Sequence, residues 1–168
     1  MPTNATRRAI RNRAAAPRLA LSVQHEPQAG ECPADRAQLR RWARAALERD
    51  ATLTLRFVGA REGRALNAQY RGRDYATNVL TFAYDEQGDE VASGSAGPVQ
   101  ADIVICLPVV VREARAQKKP LRDHLAHLVV HGVLHAQGMD HEDDEEAHAM
   151  ETRETEVLRR FRIADPYL

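Results

Sequence analysis

The chain has 168 residues and a formal net charge of zero. This length suits one domain with a sizeable core and is short for two, and the balanced charge excludes a globally basic nucleic-acid binder. The sequence has no apolar run of about 18 residues, so no membrane span is expected. Because the basic N-terminus also lacks the continuous apolar core of a secretory signal, we expect a cytoplasmic protein.

The N-terminal segment differs in composition from the rest of the chain. Residues 1–17 are rich in arginine and alanine, and five arginines precede the first acidic residue, Glu26. Such a segment cannot bury enough apolar surface to fold, so it is predicted to be a disordered basic arm. Its cations could contact RNA phosphates, although a solvated tail is the commoner outcome. Residues 18–168 are then predicted to form the single domain.

Strand-like and helix-like periodicities alternate along that domain. In chain order they predict a strand at 19–23, a helix at 34–49, a strand at 53–57, a helix at 60–70, a strand at 79–84, a loop at 85–99, a strand at 103–106, and helices at 108–117, 121–136 and 144–160. Mixed strands and helices indicate an α+β or α/β domain. Four acids, three glycines and a proline make 85–99 the segment most typical of a mobile loop.

Three histidines in the pattern H-x3-H-x5-H are the most informative feature. His131 and His135 are four residues apart, which places both rings on one face of the predicted helix. Gly138 then allows the helix to end, so that His141 can turn back toward the first two rings. Three imidazoles with a vacant fourth position are typical of a catalytic metal site. The triad predicts one Zn²⁺ per chain, although nickel, cobalt or copper would also suit these ligands.

The same spacing resembles the metzincin peptidases, H-E-x-x-H-x-x-G-x-x-H, with one decisive departure. Those enzymes place their general-base glutamate directly after the first histidine, where this chain has Gly132. The pattern for holding a metal is therefore present, while the usual base for peptide hydrolysis is missing.

Three further stretches accompany the histidine motif. They are Y-R-G-R-D at 70–74 followed by T-N-V-L-T-F at 77–82, D-I-V-I-C at 102–106, and D-P-Y at 165–167. Together with H-G-V-L-H-A-Q-G-M-D-H at 131–141, they resemble the YbeY family of bacterial endoribonucleases. Thr81 stands where that family has serine, and Ala101 where it has glycine. The resemblance covers residues 19–168.

The resemblance implies a fold and a function. It implies a single α+β domain in which a four-stranded mixed sheet packs with helices, with the metal site on a buried helix and the loop after it. It also implies a single-strand-specific, metal-dependent endoribonuclease that matures the 3′ end of 16S rRNA and acts in ribosome quality control. Small-subunit ribosomal proteins and the GTPase Era are the implied partners.

Arg71 is the expected catalytic residue. Phosphodiester cleavage concentrates negative charge on phosphoryl oxygens, and a positioned guanidinium stabilises that charge. The Y-R-G context places Arg71 at the end of a short helix beside a flexible glycine, and the family resemblance implies the same role. RNA supplies its own nucleophile in the 2′-hydroxyl, so a missing glutamate at 132 is compatible with RNA cleavage. The sequence leaves open whether that hydroxyl or a metal-bound water attacks.

Other polar residues near the motif have less specific interpretations. Asp140 could orient a ligand ring or cap a turn, and we favour the turn. His124 and His127 extend the histidine face, where core or supporting roles are commoner than metal ligation. Thr77 and Asn78 could contact substrate, although fixing the turn before the next strand is favoured.

Two alternative functions remain open at this point. One is a metal-dependent hydrolase of another substrate, including a peptidase with an unusual base. The other is a ribosome assembly factor whose metal is only structural. A fourth protein ligand such as His127 or Asp140 would favour the structural role.

Overall fold

Four strands and five helices follow one another in a computed structural model, which describes residues 15–85, 87–91 and 97–168. In chain order they are β1 (Leu19–His25), α1 (Arg36–Ala45), β2 (Ala51–Val58), α2 (Ala60–Arg71), β3 (Val79–Tyr84), β4 (Val99–Cys106), α3 (Leu107–Ala116), α4 (Leu121–Ala136) and α5 (Asp144–Arg159). A single 3₁₀ turn, Pro27–Ala29, follows β1. Most of the predicted basic arm, residues 1–14, lies outside the described residues.

The strands form one mixed sheet in the order β1-β2-β4-β3. β1 pairs with β2 and β2 with β4 in parallel, whereas β3 pairs antiparallel with β4 and lies at an edge. The register opposes Leu55 to Ile103 across β2 and β4, so their side chains lie on the same face. The predicted fold, an α+β domain with a four-stranded mixed sheet, is confirmed.

One face of the sheet packs against α4, which is the central helix. Leu55, Phe57, Ile103 and Ile105 are completely buried on the sheet. Ten of the sixteen residues of α4 are buried, because α1, α3 and α5 all pack against it. A helix enclosed on so many sides is apolar around most of its circumference, so any polar group that it does bury needs a partner.

Most element boundaries lie within two residues of the predicted ones, but two differ by four residues. α1 ends at Ala45 rather than near residue 49, because the amides of Ala46 and Leu47 bond to carbonyls only three residues back. The next amide, that of Glu48, donates to Gln137 Oε1 at 2.7 Å instead of continuing the helix. β4 begins at Val99, inside the last part of the predicted loop, because pairing with β2 extends to Ala51.

Within the described residues, no helix is long and apolar enough to cross a bilayer. The longest helices, α4 and α5, have 16 residues each.

Candidate active site

The three histidines of the motif meet at one end of α4. His131 and His135 lie one turn apart on the helix, and Gly138, with a φ of 101°, turns the chain after it. His141 follows on the loop. Ring centroids are separated by 6.2 Å for His131 and His135, 5.8 Å for His131 and His141, and 6.1 Å for His135 and His141. The structure therefore brings all three predicted ligands together.

Two of these rings are oriented by hydrogen bonds at Nδ1. His131 Nδ1 lies 2.5 Å from Glu154 Oε1, and His135 Nδ1 lies 2.8 Å from the carbonyl oxygen of Met139. A carboxylate and a carbonyl can only accept, so each Nδ1 carries the hydrogen. In the neutral ring the lone pair then belongs to Nε2, which is the atom a metal would take.

Glu154 accepts the hydrogen bond that orients His131, and the sequence analysis did not predict this role. Its side chain on α5 is completely buried, yet it accepts hydrogen bonds from His131, from His127 Nε2 at 2.9 Å, and from the hydroxyl of Tyr167. Burial alone would raise the pKa of this carboxyl, but the bonds to the two histidines outweigh burial and lower it. Burial and the adjacent carboxylate raise the pKa of Tyr167. The sequence did contain a signal, since Glu154 follows Met150 by four residues on the buried face of α5.

The remaining histidines of α4 have other partners. His124 Nε2 lies 2.9 Å from Glu113 Oε2, and His127 Nε2 is engaged by Glu154. Both therefore support the fold around the site, as the sequence favoured. Asp140 Oδ1 accepts from the amide of His141 at 2.8 Å and also lies 3.6 Å from Nδ1 of the same histidine, so its contacts fit both roles considered from the sequence.

Asn78 makes the contacts of the turn-fixing role favoured from the sequence. Its Oδ1 accepts from the amide of Val79 at 2.7 Å, and its Nδ2 donates to Glu113 at 3.1 Å. These two bonds fix the entry of the chain into β3.

Arg71 shares a cleft with the three histidines. The cleft has a volume of about 230 Å³, and its walls are α4, the histidine loop, the end of α2 and β3. Arg71 is the last residue of α2, and Gly72 ends the helix in the left-handed region with a φ of 67°. Within the described residues its guanidinium makes no hydrogen bond or ion pair, so its donors are available to a ligand in the cleft.

The donor set fits a transition metal, although the rings stand slightly too far apart for one. Bonds of about 2.1 Å from zinc to nitrogen place ligating ring centroids about 5 Å apart, whereas the three separations here reach 6.2 Å. No group of three or more His, Cys, Asp or Glu side chains stands at metal-binding distances among the described residues. His141 is the least constrained of the three, with its side chain 59% exposed.

Gly132 is required by packing, which explains the missing glutamate. A Cβ atom at this position would lie 2.8 Å from Ile103 Cγ2 and 3.5 Å from Thr81 Oγ1. The backbone of α4 therefore lies directly on the sheet, and the residue after His131 points into β4 rather than into the cleft. A glutamate base of the peptidase kind has no room here.

We expect Gly132→Ala to destabilise the protein despite alanine's higher helix propensity. Overpacking of this kind costs about 1–3 kcal/mol in the free energy of unfolding, measured by denaturant titration. In an Ile103→Ala background the obstructing methyl is gone, so the same change should instead stabilise by up to about 1 kcal/mol. Equal effects in both backgrounds would contradict the close approach of α4 to β4.

Comparison with known proteins decides the family. A family model described as endoribonuclease YbeY matches residues 25–162. The chain belongs to the endoribonuclease YbeY family. A YbeY from Azoarcus is 57% identical over 153 residues, which are 90% of this chain and 60% of that protein. A YbeY from Thiobacillus denitrificans is 53% identical over 152 residues, covering 90% of this chain and 98% of that protein.

A solved structure supports the same YbeY-family assignment at the level of the fold. The solution structure of TM1509 from Thermotoga maritima superposes with a TM-score of 0.52 at 25% identity, covering 87% of this chain and 97% of that one. The resemblance noted from the sequence motifs is thus confirmed. The chain spans 60% of the length of its Azoarcus relative.

Proposed function

We propose that this protein is a metal-dependent endoribonuclease that cleaves single-stranded RNA. Its family membership supports RNA as the substrate. The observation that carries the proposal is one cleft in which an uncommitted guanidinium, Arg71, lies with the three histidines. Such a cleft combines a cation for phosphate with three nitrogen ligands, which suits metal-assisted cleavage of a phosphodiester.

His131, His135 and His141 would hold the metal, and zinc is the ion that we propose. When bound there, zinc would supply Lewis-acid stabilisation of charge on a phosphoryl oxygen. Glu154 and the Met139 carbonyl present the Nε2 atoms of His131 and His135 by holding their Nδ1 hydrogens. Arg71 would donate two parallel hydrogen bonds to the phosphate and so stabilise the charge that builds up during cleavage.

The competing functions have less support. A peptidase of the usual kind needs a base after His131, and the contact of Gly132 with Ile103 leaves no space for one. A purely structural metal needs a fourth protein ligand. His127 gives its Nε2 to Glu154, and Asp140 accepts from a backbone amide, so both have other partners.

The cellular role that we propose follows from the family resemblance alone. It is maturation of the 3′ end of 16S rRNA and ribosome quality control in the cytoplasm, with small-subunit ribosomal proteins and the GTPase Era as partners.

Cleavage of a labelled single-stranded fragment of 16S rRNA tests the proposal. We expect the wild type to cut it, and we expect chelator-treated protein and His135→Ala to lose activity by about 100-fold or more, since the metal stabilises the transition state. His148→Ala, which changes an exposed histidine on α5, should cut like the wild type. A 2′,3′-cyclic phosphate end on the product would identify the 2′-hydroxyl as nucleophile. Cutting that survives both the chelator and His135→Ala would contradict the proposal.

A further inference from the structure

A second concave surface, outside the catalytic cleft, is lined by four arginines. It has a volume of about 520 Å³, against about 230 Å³ for the catalytic cleft. The arginines are Arg41, Arg44, Arg153 and Arg160, and Leu47 and Phe161 are among the other lining residues. Among the described residues, four cations and no acid line this arginine cleft, in a chain whose formal net charge is zero.

Helix geometry brings these arginines together. Arg41 and Arg44 are three residues apart on α1, and Arg153 and Arg160 are seven apart along α5 and its end. Both spacings place the two side chains of a pair on one helix face. Because Arg44 and Arg160 lie at helix C-termini, the helix dipoles favour their charge. That explanation does not extend to Arg41 or Arg153, which lie further inside their helices.

Three of the four guanidinium groups are uncommitted. Arg153 lies 3.7 Å from Glu48 and 3.4 Å from Glu156. Arg41, Arg44 and Arg160 are exposed, and within the described part of the chain their guanidinium groups have no hydrogen-bond or ion-pair partner. Another cleft lies on the face of the sheet opposite α4, and its arginine does have partners. There Arg56 pairs with Glu26 and Glu62, and acids are among the lining residues.

We propose that the arginine cleft binds the phosphodiester backbone of single-stranded RNA, outside the catalytic cleft. Clustered cations with few acids attract a polyanion, and the forked guanidinium matches phosphate oxygens. Half-buried Phe161 adds a ring against which a base could stack. This inference rests on the proposed function for its choice of polyanion.

The arginine cleft is connected structurally to the catalytic cleft. Gln137 follows α4 two residues after His135, and its Oε1 accepts from the amide of Glu48, next to Leu47 in the arginine cleft. Gln137 Nε2 also donates to the carbonyl of Ala46 at 2.8 Å. An RNA long enough to reach both clefts would gain a second point of attachment, so affinity should increase with length.

The test compares two triple variants with the same change in charge. Arg41→Gln, Arg44→Gln and Arg160→Gln together remove the uncommitted cations of the cleft. The control removes three exposed arginines on other helices by Arg61→Gln, Arg115→Gln and Arg122→Gln. Binding of the full chain to a 2′-O-methyl RNA of about 20 nucleotides, checked for integrity on a gel, is measured over a series of salt concentrations.

We expect the cleft variant to bind this RNA at least tenfold more weakly, as an order of magnitude, near about 0.1 M salt. The slope of log affinity against log salt should become shallower by about 2, because each of the three lost phosphate contacts contributes about 0.7. The control triple should resemble the wild type. Equal weakening in the two triples, an unchanged slope in the cleft variant, or no binding by the wild type would each overturn the inference.

Cleavage of an RNA of about six nucleotides separates this inference from the proposed function. We expect the cleft triple to cut the short RNA at the wild-type rate, because such an RNA needs only the catalytic cleft. Arg71→Ala should lose cleavage and lower the salt slope for long RNA by only about 0.7, the value of one phosphate contact, against about 2 for the cleft triple. If the protein cleaves RNA but its binding does not depend on the arginine cleft, only the second site is overturned. If binding depends on the arginine cleft but no RNA is cleaved, only the proposed nuclease activity is overturned.

Discussion

Arg71→Ala is expected to lose RNA cleavage by about 100- to 1,000-fold in kcat, the usual loss when one positioned donor to transition-state charge is removed. Arg71 lies in the cleft with the three histidines and makes no hydrogen bond or ion pair within the described residues. Its removal should therefore leave the fold and the metal content unchanged. Single-turnover cleavage, metal analysis and thermal unfolding measure the three quantities separately.

Two further variants sharpen this prediction. Arg71→Lys keeps the charge but loses the paired donors, so it should recover only part of the activity. Arg73→Ala removes an exposed arginine two residues further along the chain, outside the residues that line the cleft, and should cut like the wild type. Turnover by Arg71→Ala at the wild-type rate would exclude the proposed role.

Glu154→Gln should weaken metal binding by about 10- to 100-fold, the usual effect of removing a carboxylate that supports a ligating histidine. In the wild type the carboxylate receives hydrogen bonds from His127, His131 and Tyr167. An amide has only one oxygen to accept them, and its NH₂ group would face a ring N–H. His131 would then lose the partner that fixes its tautomer.

Competition with a chromophoric chelator measures this affinity directly, without any need for RNA cleavage. Glu145→Gln is a suitable control, because Glu145 is exposed in the first turn of the same helix. Circular dichroism establishes whether Glu154→Gln remains folded, and Tyr167→Phe offers a milder variant that removes only one donor to the carboxylate. Unchanged metal affinity in a folded Glu154→Gln would show that Glu154 does not act through His131.

The sequence predicted every strand and all five α-helices of the described residues, since most have an apolar face of the right period and α4 is apolar around most of its circumference. The boundaries were less predictable. α1 ends early because Gln137, 89 residues away, accepts the amide of Glu48. β4 begins early because its pairing with β2 extends to Val99. Contacts between residues distant in sequence set the end of α1 and the start of β4. Local periodicity contains no information about such contacts.

The residues of the candidate site were likewise only partly predictable from local sequence. Local spacing alone placed His131 and His135 on one face of a helix, and a glycine in the left-handed region returned His141 to them. That Arg71 lies in the same cleft was implied by the family resemblance and not by spacing, because α2 and α4 are about 50 residues apart.

The sequence by itself determined the identity of the metal-ligand candidates, because helical period and a glycine turn are local properties. It also determined the family, through motifs that stand far apart and agree. Only the tertiary structure decided that Glu154 supports His131, that the backbone of α4 at Gly132 lies against Ile103, and that arginines of α1 and α5 share one cleft. Each of these is a contact between elements remote in sequence, and packing of the whole chain around α4 is what brings such groups within reach.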